Sequence, residues 1–105
     1  MAQWDVYANP SERTRGEIPY LVDLQSDLLS ALASRLVAPL VRTRLKAGGL
    51  PRRLCPHLSV EGIDLVLLPQ EAGAVEARLL KRPVGSLRTH SAAIIDALDA
   101  VVSGI

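Results

Sequence analysis

Apolar and polar residues alternate from the start of the chain. Trp4 and Val6 stand against Gln3, Asp5 and Tyr7, the period of a half-buried strand. Residues 8–18 form a polar, turn-rich loop. After Pro19, the run Tyr20 to Leu24 reads as a second strand. Ser26 to Ser30 reads as a short turn of helix or an irregular segment. Arg35 to Leu40 predicts a short strand, ended by Pro39 at a sheet edge. Residues 41–53 contain Gly48, Gly49 and Pro51 and read as a long connection. His57 to Val60 and Ile63 to Leu68 flank the dipeptide Glu61-Gly62, a hairpin signal. Val75 to Leu80 predicts a further strand, ending before Pro83.

The C-terminal segment changes period. Stepping about 100° per residue from Leu87 brings Ile94, Ile95, Leu98, Val101 and Val102 into one arc, from about −40° to +80°. Arg88, Thr89, Asp96 and Asp99 fall outside it. This predicts one amphipathic helix docked on a sheet, stopping at Ser103-Gly104-Ile105. Short strands followed by a single helix predict an α+β fold: a small, mainly antiparallel barrel or sheet with a terminal helix.

Composition narrows this picture. At 105 residues and 11.3 kDa the chain is one domain, residues 1–105. Apolar residues at 49% and charged residues at 22% exclude disorder. Phe is absent, so leucine and alanine must fill the core. The longest apolar run, Leu36 to Val41, is too short to cross a membrane. The first residues lack a basic and apolar leader, and the single cysteine, Cys55, has no internal partner. Both point to the cytoplasm.

Candidate chemistry is sparse. His57 and His90 have no cysteine or carboxylate at ligand spacing, so neither a metal nor another cofactor is expected. Cys55 lies in an apolar context, between Leu54 and Pro56, typical of an inert thiol. There is no nucleophile elbow and no phosphate loop, hence no positive case for an enzyme. One charge feature remains. Residues 28–60 hold no acid but carry Arg35, Arg42, Arg44, Lys46, Arg52 and Arg53, a local +6 in a chain of net +1. This is either a solvated basic loop or a docking surface for an acidic peptide. Without interleaved aromatic residues, direct nucleic-acid binding is the weaker form of that idea.

The run Tyr20-Leu21-Val22-Asp23-Leu24-Gln25-Ser26-Asp27-Leu28-Leu29 resembles the strand and turn of the CcdB toxins. The resemblance continues through Arg35 to Leu40 and Leu54-Cys55-Pro56. It ends in a C-terminal helix finishing at Gly104-Ile105, collinear over nearly the whole chain. It implies a small SH3-like antiparallel β-barrel, of the kind shared with MazF toxins, with an extra small sheet and the terminal helix. It further implies a homodimer that binds the GyrA subunit of DNA gyrase and traps the enzyme on cleaved DNA. Neutralisation by a CcdA-like antitoxin with a disordered acidic tail is also implied.

The same resemblance assigns gyrase contacts to Ser103, Gly104 and Ile105 at the tail, to Asp99 on the helix, and to Ser26, Leu28 and Leu29 in the turn. Trp4, at a family aromatic position, is a further candidate. Arg42, Arg44 and Lys46 are the candidates for holding the antitoxin tail. The sequence departs from the best-known family member at Ser103, where that protein has Trp, at Asp99, where it has Asn, and over residues 72–77. A serine cannot stack on an arginine of the target as Trp would. Two other functions fit the same fold: a family member that binds antitoxin without poisoning gyrase, and a MazF-like endoribonuclease with Arg42, Arg44 and Arg52 in a basic groove.

Overall fold

A computed structural model describes residues 2–42 and 51–104. The described strands are β1 (Asp5–Ala8), β2 (Tyr20–Asp23), β3 (Ser34–Arg42), β4 (His57–Val60), β5 (Ile63–Leu67), β6 (Gly73–Glu76) and β7 (Gly85–Ser86). One α-helix, α1 (Ser91–Ser103), follows them. All the pairings are antiparallel, in the order β4-β5-β3-β2-β1-β7, with β6 also on β3. The sheet curls into a nearly closed barrel. Ser59 and Val60 of β4 and Gly85 and Ser86 of β7 line one remaining gap of about 190 Å³.

The hairpin expected around Glu61-Gly62 is present as β4 and β5, with Val60 opposite Ile63. Both turn residues have positive φ, 50° and 78°, the requirement of a type I′ turn. Glycine adopts this freely, but glutamate does not. The Tyr20 hydroxyl donates to Glu61 Oε1 at 2.6 Å and anchors the side chain of the strained residue.

β3 is longer and more central than the apolar run suggests. It spans nine residues and pairs with β2 on one side, Tyr20 opposite Leu40 and Asp23 opposite Val37. On its other side it takes two strands in tandem: Ser34 to Val37 against β6, and Leu40 to Arg42 against β5. Pro39 therefore does not mark an edge. It stands where the partner changes from β6 to β5, and its carbonyl accepts from Leu68 N at 3.1 Å. At that seam the missing N–H of proline is little loss. The strand expected over Val75 to Leu80 is also corrected. β6 ends at Glu76, and Ala77–Leu79 form a 3-10 turn.

Alternation along the strands splits their side chains between two faces. Val6, Tyr20, Val22, Ala38, Leu40, Leu58, Val60, Leu65 and Leu67 fill the barrel interior. Tyr7, Leu21, Val37 and Leu80 form a smaller apolar cluster of their own, as do Val41, Cys55, Val66 and Leu68. Trp4 joins the interior and is 7% exposed. Its backbone sits at φ 76°, pinned by Trp4 N donating to Asp23 O at 2.7 Å and Leu87 N donating to Trp4 O at 2.8 Å.

α1 docks by a face rotated from the expected one. A 3-10 turn at Arg88–His90 precedes it, and its buried residues are Ile94, Ala97 and Ala100. Ile95, Val101 and Val102, expected in the core, are exposed. Small alanines let the helix axis approach the barrel closely, so hydropathy alone misplaces the contact line. The helix ends in Gly104 at φ 77°, whose N–H donates to Ala100 O at 2.8 Å, a left-handed glycine cap.

Candidate functional site

Among the described residues, large apolar side chains are most exposed in two regions, with Leu36 and Val84 exposed to a lesser degree elsewhere. One is the connection from β2 to β3, where Asp27–Leu29 form a 3-10 turn with no buried residue. Leu28 is 94% exposed, and Leu29 and Leu32 are also exposed. The other is the outer face of α1, where Val102 is 87% exposed beside Ile95 and Val101. A single exposed leucine needs no explanation, but exposed apolar residues grouped as Leu28, Leu29 and Leu32 are in one short segment are a candidate contact surface.

The turn is held by polar groups, not by apolar burial. Ser26 Oγ accepts from Leu28 N at 3.2 Å, and Asp27 Oδ1 accepts from Gln3 N at 2.8 Å. Beneath it, Arg35 donates to Asp23 Oδ2 through Nε at 2.9 Å and Nη2 at 2.6 Å. Neither side chain of this ion pair reaches solvent. Arg35 belongs to the basic stretch in sequence, but its charge is consumed inside the fold and adds nothing to a docking surface. The nearby Tyr7 phenol is pushed above its ordinary value by burial first, then by Asp5 and Asp23, with Arg35 opposing.

At the tail, Ser103 Oγ donates to Asp99 O at 2.6 Å, so its hydroxyl is engaged by its own helix. Asp99 and Ser103 share a groove of about 350 Å³ with Asp96, Val102 and Arg53. The structure thus brings together the tail candidates Asp99 and Ser103, and separately the turn candidates Ser26, Leu28 and Leu29. Among the described residues no hydrogen bond joins the two groups. Trp4 is corrected: a side chain packed in the barrel interior offers no contact surface. Ile105, Arg44 and Lys46 lie outside the described residues. Arg42 is half-buried, with Nε donating to Gly16 O at 3.1 Å.

Two pairings were not expected from spacing. His57 and His90 line one groove of about 550 Å³ with Asp64 and Arg52. Among the described residues, however, no group of three or more His, Cys, Asp or Glu is placed to hold a metal. Burial raises the Cys55 thiol, against a weak opposing contact with Gln70 Oε1 at 3.8 Å, so it is a poor nucleophile. No described helix is long and apolar enough to cross a membrane.

A family model described as CcdB protein matches residues 3–104. The chain belongs to the CcdB family. No curated protein matches it significantly. CcdB proteins are toxins of toxin–antitoxin systems that poison gyrase, and their partners at family level are gyrase and an antitoxin. Leu28 in the turn and Val102, next to Ser103, are the two most exposed large apolar side chains among the described residues. Sequence reasoning missed Gln25 and the Asp23–Arg35 pair beneath the turn. The available signal was a carboxylate embedded in the apolar run Tyr20 to Leu24, which needs a partner if buried.

Proposed function

We propose that this CcdB family member is a binding toxin that acts without catalysis of its own, engaging the GyrA subunit and trapping gyrase on cleaved DNA. The observation that carries this reading is the family match across residues 3–104. The exposed Leu28 on an ordered turn supports it, as does the exposed apolar face of α1 running into the Gly104 cap. In this reading the toxin works as a cytoplasmic homodimer. Two tails related by a two-fold axis meet a target that is itself symmetric. A CcdA-like antitoxin neutralises it, its acidic tail attracted to Arg42, Arg44 and Lys46.

The test is a cleavage assay with reconstituted gyrase and supercoiled plasmid. Linear DNA released by detergent, in proportion to added toxin and abolished by antitoxin, is the expected result. Light scattering should give about twice the 11.3 kDa chain mass. Antitoxin binding with no trapped DNA would replace this reading with that of a family member inactive on gyrase. Cleavage of RNA by the toxin alone would replace it with the nuclease.

A further inference from the structure

The segment that carries Leu28 has almost no apolar anchor. From Asp27 to Ser34 every residue is exposed, so hydrophobic burial does not hold it. The side chain beneath it does. Gln25 is buried, and its Nε2 donates to two carbonyls, Leu29 O and Ser34 O, each at 3.1 Å. Its Oε1 accepts from Leu36 N at 2.9 Å. One carboxamide thus ties the tip of the turn, the entrance of β3 and the body of β3 to a single point. Both of its N–H donors are used. Its own backbone is fixed in turn: Gln25 N donates to Asp23 Oδ1 at 2.9 Å, and Gln25 O accepts from Arg35 Nη2 at 3.4 Å.

We propose that Gln25 is a positioning residue for partner binding: its carboxamide clamps the Leu29 and Ser34 carbonyls and so holds Leu28 in its outward presentation. The idea rests on the reading that Leu28 touches GyrA. A clamp of this kind settles the ordering of the turn before the partner arrives, and that preorganisation raises affinity without a contact of its own. When the clamp is lost the turn samples other conformations, and apparent affinity falls by the fraction that remains competent. The Asp23–Arg35 pair acts one step further back, by fixing the backbone of Gln25.

The experiment compares the full-length wild type with Gln25→Met, which keeps the length of the side chain and removes its hydrogen bonds, and with Leu28→Ser. Hydrogen exchange of the wild type should show the Gln25 carboxamide protons protected. In Gln25→Met the α1 amides should keep their protection, while the Leu29, Ser30 and Leu32 amides exchange faster. Affinity for a GyrA dimerisation fragment should fall about tenfold or more. A Gln25→Met protein that binds the fragment as wild type does, while Leu28→Ser does not, would overturn the proposal. So would a wild-type carboxamide that exchanges like free glutamine, a result that stands even if the variant fails to fold. If the wild type itself does not bind the fragment, the GyrA reading fails, and the exchange data alone decide whether Gln25 is the clamp.

Discussion

Arg35 places both Nε and Nη2 on the same oxygen of Asp23, at 2.9 and 2.6 Å, with both side chains fully removed from solvent. The two residues come from neighbouring strands, Asp23 opposite Val37 and Arg35 two positions away on the same face. Such a pair stabilises little when measured against apolar residues of equal volume, but removing one partner strands a buried charge, at a cost of about 3–5 kcal/mol. Arg35→Met is therefore expected to lose most of the margin of a domain this small, read as a lower urea midpoint. The double variant Asp23→Leu with Arg35→Met should recover much of the loss. A single variant as stable as wild type would show that the pair is not buried in solution.

The Tyr20–Glu61 bond offers a cleaner measurement. Glu61 occupies a left-handed turn position at φ 50°, which costs about 1–2 kcal/mol for a residue with a side chain. A hydrogen bond to a charged group returns about 1.5–3 kcal/mol. Because Glu61 is exposed, Tyr20→Phe should destabilise the wild type by about 1.5 kcal/mol, the low end of that range. In a Glu61→Gly background, where the turn is relaxed and the acceptor gone, the same change should be nearly neutral. Equal losses in both backgrounds would deny the bond any energetic role.

Among the described residues, three weakly acidic groups hold their protons beyond the usual range. Burial raises the Cys55 thiol. The hydrogen bond to Glu61 raises the Tyr20 phenol, with burial adding to it, and burial raises Tyr7. In each case the folded state holds its proton more tightly than the unfolded chain does. Stability from these groups is therefore complete below their unfolded values and is lost as pH rises through the folded ones. Thermal midpoints should be flat through neutral pH and decline above about pH 9, the thiol first and the phenols after it. Cys55→Ala should remove the earliest part of the decline. A midpoint that holds steady to strongly alkaline pH would refute the burial of all three.

Local patterning carried much of this fold. β1, β2 and the β4–β5 hairpin follow from alternation and from Glu61-Gly62, because each depends on neighbours in sequence. Pro39 was misjudged because its tolerance inside β3 depends on where two distant strands exchange places. The docked face of α1 was misjudged because Ala97 and Ala100 are buried by fit, while more hydrophobic Val102 is left outside. At the candidate site the resemblance named Leu28, Leu29, Asp99 and Ser103, and the structure adds that all four are exposed; their contact with a partner belongs to the proposal. For Gln25 and Arg35 the sequence offered only an indirect signal, the carboxylate of Asp23 in an apolar run; Gln25 N and the Arg35 guanidinium both donate to it, and Arg35 reaches it only when β2 and β3 pair. Trp4 shows the opposite error: an aromatic residue near a chain end was read as a contact, yet it is packed in the barrel.

The antitoxin reading predicts a strong electrostatic component. With Arg35 consumed by Asp23, and Arg42 tied through Nε to Gly16 O, the proposed basic surface depends on few cations. Reversing Arg42, Arg44 and Lys46 together to Glu should weaken an acidic antitoxin tail severely. The wild-type affinity should fall steeply as salt rises and the screening length drops toward about 3 Å at 1 M. Calorimetry at two salt concentrations reads both effects. Unchanged affinity in the triple variant would place the tail elsewhere on the barrel.

The tail can be tested apart from the fold. Gly104 caps α1 at φ 77°, with open space where a side chain would stand. Arginine there pays the left-handed cost, about 1–2 kcal/mol, and frays at most the final turn, since Ile94 and Ala97 are the deeply buried residues. Gly104→Arg should therefore remain folded, yet lose gyrase trapping, because a long cation at an exposed end blocks close approach. Ser103→Trp works in the opposite direction. The serine hydroxyl is already bonded to Asp99 O and offers a partner little, whereas an indole presents an aromatic face to a cation. That contact is worth about 0.5–2 kcal/mol, up to roughly 30-fold in affinity. Trapping assays on the two variants with matched thermal midpoints separate binding from folding. Full trapping by Gly104→Arg would show that the tail makes no essential contact and would shift the weight of the interaction to the Leu28 turn.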